Sequence, residues 1–263
     1  MLVRDGAAGL EVFMLRRFLN ADFIGGAYVF PGGRLDESDC EAAVLAHSGG
    51  VSPAQAGSLL GLDPDRALAH WVCAVRETFE EAGLLLAYRD GALVPMRDDS
   101  SRAHWADSRR RLLDGDLSWS ELVTGERLTL ACDQLHYFAH WITPEASPKR
   151  FTTRFFLARV PEGQDPLPDQ REVDHGEWVM PAQALAAHRR GELPMIFPTV
   201  RTLEELSAFA TAADALRACH HRPVVARMPK IIDRDGELVF LLPGDPGYDA
   251  AGLPPERFNP WKL

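Results

Sequence analysis

Cysteine is scarce in this chain. Its 263 residues hold four, Cys40, Cys73, Cys132 and Cys219, with no CxxC pair and no histidine at zinc spacing. That excludes a disulfide scaffold and a zinc knuckle, and fits reduced structural thiols in a cytoplasmic protein. Basic residues are outnumbered, 28 Lys and Arg against 38 Asp and Glu, giving a net charge of −10. Such a chain lacks the footprint of a nucleic-acid or anionic-membrane binder. A local cluster or a metal ion can still recruit a small phosphorylated ligand. Long apolar runs are missing too: neither "MLVRDGAAGLEVFMLRR" nor any later segment approaches a signal peptide or a membrane span. The closing Trp261-Lys262-Leu263 imitates a peroxisomal address but puts tryptophan where a small residue is wanted, so it is discounted. There is no internal repeat and no low-complexity tract.

What remains is ordinary globular material, 46% hydrophobic and 25% charged, in a chain longer than the usual single domain. "LVRDGAAGLEVFMLRR" reads as a hairpin, and "AYVFPGGRL" as a strand running into a Pro-Gly-Gly loop. Residues 40–62 read as short helices broken by "HSGGVSP". Asp63-Pro64 is an N-cap followed by proline at the first helical position, opening a helix that Gly83 stops. "LLLAY" reads as a strand and 99–124 as a polar helical segment. "LHYFAHWIT" and "TRFFLARV" form a strand pair, and "GEWVMPAQALAAHRRG" is a strand end followed by a helix. "TVRTLEELSAFATAADALRAC" reads as one long helix. The tail from Arg222 carries a hairpin-like "KIIDRDGELVFLL".

The stretch "AVRETFEEAG" crowds three carboxylates into two helical turns. At about 100° per residue, Leu68, Val72, Val75, Phe79 and Ala82 form one apolar stripe. Glu77, Glu80 and Glu81 cluster around the opposite pole, facing away from the core. The Glu77–Glu81 pair repels by a few tenths of a kcal/mol, roughly. Both also lie in the last turns, where the macrodipole disfavours anions by about 0.3–1 kcal/mol each. A solvated acidic face tolerates such sums; a hard divalent cation held by carboxylate oxygens removes them. Spacing leaves both readings open. Upstream, Pro31-Gly32-Gly33 exposes backbone that a phosphate or a metal can approach closely.

"FPGGRLDESD … VRETFEEAGL" resembles the Nudix box: a glycine, five residues, an acid, seven residues, then Arg-Glu-apolar-any-Glu-Glu-any-Gly-apolar. Gly33 matches the opening glycine, and Asp39 stands where the first glutamate belongs. Arg76, Glu77, Glu80, Glu81, Gly83 and Leu84 match the second half. Three departures accompany the match: Asp39 for Glu, Thr78 for an apolar residue, and 36 residues between Asp39 and Arg76 in place of seven. Such an insertion is a feature of the peroxisomal coenzyme A diphosphatase subgroup and its bacterial relatives. "HWITPEASPKRFTTRFFLARVPEG" is similar to that subgroup's central strand pair. In the coenzyme A signature upstream of the loop Gly26 agrees, but Asp22 stands where arginine is expected, which leaves the substrate open.

The resemblance implies an α/β fold, a Nudix-type α/β/α sandwich with a mixed central sheet, over residues 1–205. Insertions fall at about 40–65 and 99–124, and 206–263 forms a C-terminal helix and extended tail. It implies hydrolysis of a pyrophosphate bond in a nucleoside diphosphate linked to another group, with Mg²⁺ or Mn²⁺ as cofactor. Coenzyme A or acyl-coenzyme A is the leading substrate class, giving 3′,5′-ADP and phosphopantetheine. The alternatives are ADP-ribose or NADH-type substrates, or a non-catalytic nucleotide-sensing module. Glu80 and Glu81 are first-choice metal ligands, with the Gly33 carbonyl a weaker one; Glu77 completes the set or acts as general base. Arg76 is placed to orient Glu80. The loop "DQREVDHGEW" offers Glu172 or Asp174 as an alternative base, whereas His175 and His70 read as a solvated and a structural histidine. Gly32, Gly33, Arg150, Arg154 and Phe197 are candidate substrate contacts; both arginines are placed on one strand face, opposite Phe151 and Phe155. Homodimers are common among relatives, an expectation by analogy only.

Overall fold

Alternation along the first strands decides which residues meet which layer. The computed structural model describes residues 1–20, 24–145, 147 and 149–252. Asp22 and the Trp261–Leu263 tripeptide lie outside them. The hairpin is β1 (Leu2–Gly6) and β2 (Gly9–Arg17), followed by β3 (Tyr28–Val29), α1 (Ala42–Leu45), β4 (Ser48–Gly49) and α2 (Pro53–Leu60). Next come α3 (Pro64–Ala82), β5 (Ala87–Arg89), β6 (Ala92–Leu93), α4 (Asp99–Asp114), α5 (Trp119–Gly125) and β7 (Thr129–Ala131). The central strands are β8 (His136–Ile142), β9 (Thr152–Arg159) and β10 (Val173–Val179). Three helices follow, α6 (Pro181–Arg189), α7 (Phe197–Leu206) and α8 (Ala212–His221), then β11 (Ala226–Arg227), β12 (Lys230–Arg234) and β13 (Glu237–Leu241).

The main sheet has the order β10-β2-β1-β9-β8-β11, with β3 on β2. It is mixed: β1 pairs antiparallel with β2 but parallel with β9, and β11 joins β8 in parallel. Leu2, Phe13, Leu15, Phe156 and Ala158 point to one layer, where they pack on Trp71, Val72, Val75 and Phe79 of α3. Their neighbours Val3, Val12, Met14 and Leu157 point to the other, against Leu185 of α6, Leu203 and Leu206 of α7 and Ala212 and Ala215 of α8. The result is an α/β/α sandwich, as the sequence led us to expect. A smaller sheet, β4-β7-β5-β6, and the β12–β13 hairpin flank it. No described helix is long and apolar enough to cross a membrane.

Two local readings needed correction. Residues 197–221 form two helices, because the chain breaks at Ser207–Thr211. There the Ala210 carbonyl accepts from Leu10 N at 3.1 Å, and Asp5 Oδ1 accepts from Ala212 N at 2.7 Å. Thr211 Oγ1 then caps α8 through Asp214 N. The break thus ties the helices to the β1–β2 hairpin. Of "LLLAY", only Ala87 and Tyr88 are strand, in β5. Leu85 instead bonds the buried Gln164 amide, which accepts from its N–H at 2.8 Å and donates to its carbonyl at 3.0 Å.

Candidate active site

Helix α3 starts and stops where the sequence signals it. Asp63 Oδ1 accepts from the amides of Asp65 and Arg66 at 3.2 Å, Pro64 occupies the first position, and Gly83 closes the helix at φ 69°. The loop after β3 lies along one stripe of this helix. Gly32, at φ 146°, donates its amide to Glu81 Oε2 at 2.7 Å. A Cβ on Gly33 would stand 2.5 Å from Glu77 Oε1, so only glycine lets that carboxylate sit there. The Arg34 carbonyl accepts from Cys73 Sγ at 3.3 Å and from Arg76 Nη2 at 2.9 Å. Residues 32, 33 and 34 therefore step past Glu81, Glu77 and Cys73, about one helical turn each. Access for a ligand was the expected reason for both glycines; at Gly33 the packed glutamate supplies a second.

Arg76 is the hub of the site. Its Nε and Nη2 donate to the two oxygens of Asp39 at 2.8 and 2.9 Å, while Nη1 reaches Glu80 Oε2 at 2.8 Å and Glu77 Oε1 at 3.0 Å. Asp39 is completely buried and sits in a 3-10 turn, Glu37–Cys40, where it also accepts from Asp36 N at 2.8 Å. One bidentate pair thus clamps the loop to the helix. Burial alone would discharge Arg76, but the Asp39 hydrogen bonds and the surrounding carboxylates hold it protonated.

The glutamate face is not solvated, contrary to the simplest reading of the helical wheel. Glu77 is 9% and Glu81 6% exposed, and Glu80 is partly covered. Burial, opposed by Arg76 and reinforced by Glu80, pushes Glu77 up to about 7. Burial, opposed by the Gly32 amide and reinforced by Glu77, Glu172 and Asp169, pushes Glu81 up to about 8. Burial raises Glu80 as well. Glu77, Glu80 and Asp39 share one guanidinium and Glu81 has only the Gly32 amide, so negative charge remains uncompensated in a poorly solvated place. Hard carboxylate oxygens in such excess suit a divalent cation such as Mg²⁺ or Mn²⁺. Among the described residues no three acidic, His or Cys side chains converge at metal-binding geometry. The reason is visible: Arg76 draws Glu77 and Glu80 to itself while the Gly32 amide holds Glu81. The donor set fits by chemistry and charge, and rotation of those side chains is what would close it.

A second buried arginine escaped sequence reasoning. Arg109 of α4 donates from Nε and Nη2 to the Glu80 carbonyl at 2.8 and 2.7 Å, and from Nη1 to the Leu167 carbonyl at 2.8 Å. It places a cation at the C-terminus of α3, where the dipole favours one. It also ties the late loop to that end, beside Leu167 N, which bonds the Ala82 carbonyl at 2.8 Å. Its only sequence signal is an arginine in a polar helix.

The remaining candidates divide. Glu172 lies exposed, 3.9 Å from Arg17 and within the field of Glu81, in a loop that Asp169 organises by accepting the amides of Arg171, Glu172 and Val173. Strand β10 begins at Val173, earlier than expected, so Asp174, His175 and Glu177 are strand residues. Asp174 is turned to Arg16, which it holds bidentately at 2.8 and 3.0 Å. Arg150 precedes β9 and donates to the Thr143 carbonyl and Met228 Sδ, so the expected Arg150–Arg154 strand face does not form. Arg154 is on β9, on the face shared with Phe156 and α3, while Phe155 meets Phe30 edge-on across the sheet at 6.0 Å. Phe197 stacks on Phe240 at 4.4 Å and meets Trp141 edge-on at 6.0 Å, on the face away from α3.

A glycine loop laid along a helix that carries Arg-Glu and Glu-Glu, on one layer of a mixed α/β/α sandwich, defines a Nudix-type hydrolase. The sequence model of the NUDT19 Nudix domain matches residues 53–206, and the chain belongs to that family of Nudix hydrolases. It is 29% identical to the human acyl-coenzyme A diphosphatase NUDT19 over 92% of this chain and 73% of that one. To the Xenopus laevis protein of the same name it is 24% identical, over 93% and 73%. The crystal structure of a Nudix hydrolase from Alicyclobacillus acidocaldarius superposes with a TM-score of 0.67 at 30% identity, covering 82% of this chain and 92% of that one.

Proposed function

We propose that this chain hydrolyses the pyrophosphate bond of coenzyme A or an acyl-coenzyme A, releasing 3′,5′-ADP and a phosphopantetheine, with Mg²⁺ or Mn²⁺ bound at the acidic end of α3. One observation carries the reading: Glu77 and Glu80 on Arg76, and Glu81 on the Gly32 amide, lie together beside the Gly32-Gly33 loop. The substrate class follows the relatives, acyl-coenzyme A diphosphatases with which the chain aligns over nearly its whole length. The four cysteines are all free, which supports a reducing, cytoplasmic setting.

Glu80 and Glu81, with the Gly33 carbonyl, would hold the divalent ion, and Glu77 either completes that set or stays free of it to act as base. When bound, that ion supplies Lewis acidity to a dense cluster of diphosphate oxygens. Arg76 orients Glu80 and Glu77 through Nη1 and is itself fixed by Asp39. Glu77, whose raised proton affinity lies near neutrality, is the first choice to take a proton from the attacking water, with Glu172 the second. The Gly32 and Gly33 backbone leaves a face on which diphosphate oxygens can approach. Of the contacts expected beyond the diphosphate, Arg154 shares the α3 face of the sheet and is kept, whereas Arg150 precedes the strand and Phe197 lies on the opposite layer.

The test is turnover of a panel of coenzyme A, ADP-ribose, NADH, diadenosine polyphosphates and nucleoside triphosphates with each metal, beside Glu80→Gln. Coenzyme A type diphosphates are expected to be hydrolysed best, and the variant to lose about 10²-fold or more in kcat. Wild-type turnover in Glu80→Gln would refute the metal assignment. Preference for ADP-ribose or NADH would refute the substrate class.

A further inference from the structure

The stripe of α3 that carries Glu81, Glu77 and Cys73 continues to His70 and Arg66, at steps of four and three residues. Its two ends carry opposite charge. Across from its N-terminal half, β8 and β9 present Tyr137, His140 and Arg154 on the same sheet face, with Arg154 in register opposite His140. Arg154, Arg66 and His140 all act electrostatically on His70, which gathers four basic side chains between α3 and the β8–β9 face. None of the four makes an ion pair among the described residues. Arg154 bonds the Tyr137 hydroxyl, yet its Nε is buried without a hydrogen-bond partner. The His140 ring is held by Thr152 Oγ1 at 2.7 Å.

A buried guanidinium N–H left unmade costs about 1–3 kcal/mol, and like charges packed together add to that. At the helix start Asp63 and Asp65 offset Arg66 and agree with the macrodipole; the basic excess lies instead where Arg66 and His70 meet Arg154 and His140. Excess anions at the C-terminus suit a cation, and this basic cluster suits an anion.

We infer that Arg66, His70, His140 and Arg154 form a phosphate-monoester subsite, which recognises a second phosphate on the nucleoside half of a diphosphate substrate. Seven residues at 1.5 Å put His70 about 10 Å along the axis from Glu77, the reach of a ribose phosphate from its own diphosphate. The fork of Arg154 supplies a free N–H and a planar charge matched to phosphate oxygens. His70, pushed down to about 4 by burial and by Arg154, Arg66 and His140, is neutral before binding and can donate one ring N–H. The link to a substrate rests on the function proposed above; the anion site itself does not.

The experiment is calorimetric titration of the full chain, in metal-free buffer, with adenosine 3′,5′-bisphosphate, adenosine 5′-monophosphate and inorganic phosphate. Wild type should bind the bisphosphate about tenfold or more tighter than the monophosphate, and phosphate should compete for the difference. Arg154→Met and His70→Gln, on separate elements, should each bring that ratio close to one. A wild-type ratio of one, or a folded Arg154→Met or His70→Gln with the wild-type ratio, overturns the subsite. Hydrolysis measured in parallel separates the two ideas. An Arg154-dependent ratio in a chain that cleaves no coenzyme A type diphosphate sinks the functional reading and keeps the subsite.

Discussion

The two ends of α3 belong to one helix and are built by different means. At its start, Asp63 caps the helix from an exposed position with two hydrogen bonds to its own backbone. At its end, Arg109 satisfies the Glu80 carbonyl from a distant helix, and Arg76 joins three carboxylates and a loop carbonyl. The first end is local and cheap to form. The second gathers residues from four segments and leaves charge uncompensated, which a helix needing only stability would not retain.

Breaking each end should expose that difference. The largest effect is expected from Asp39→Ala, which strands buried Arg76 and should cost about 3–5 kcal/mol in denaturant unfolding. Arg109→Met comes next, at about 1–3 kcal/mol, with faster hydrogen exchange at the Leu167 amide because the late loop loses its anchor. Asp63→Ala, at the other end, should cost only about 1 kcal/mol. A cost equal to that of Asp39→Ala would erase the distinction.

A smaller effect has a sign that pH reverses. The folded value of Glu81 lies above its ordinary 4.5, so its carboxylate costs stability that is absent below that value and fully present above about 8. In metal-free buffer Glu81→Gln should therefore melt higher than wild type at pH 8.5, by about 2–4 °C, and level with it at pH 4.5 or below. Saturating Mg²⁺ should reverse the order at pH 8.5. A variant less stable than wild type in metal-free buffer at pH 8.5 would show that the buried carboxylate is compensated after all.

The sequence made one end far more legible than the other. Asp63-Pro64 and Gly83 are local signals, so the helix could be bounded to the residue. The Arg76–Glu80 contact was legible for the same reason, being one turn long. The Asp39–Arg76 clamp spans the insertion, and no periodicity reports it. Arg109 was invisible because its partners are carbonyls, which every residue has. The break between α7 and α8 hid likewise, since it depends on the Ala210 carbonyl meeting Leu10 of the hairpin. Alternation predicts one strand face for Arg150 and Arg154, and the structure separates them because β9 starts only at Thr152.

Binding of Mn²⁺ to the full chain, followed by electron paramagnetic resonance without substrate, addresses the acidic end of α3 most directly. Wild type should bind the ion, and Glu80→Gln and Glu81→Gln should each weaken binding about tenfold or more. Wild-type Mn²⁺ affinity in both variants, with the fold intact, would contradict the assignment of that end to a divalent cation.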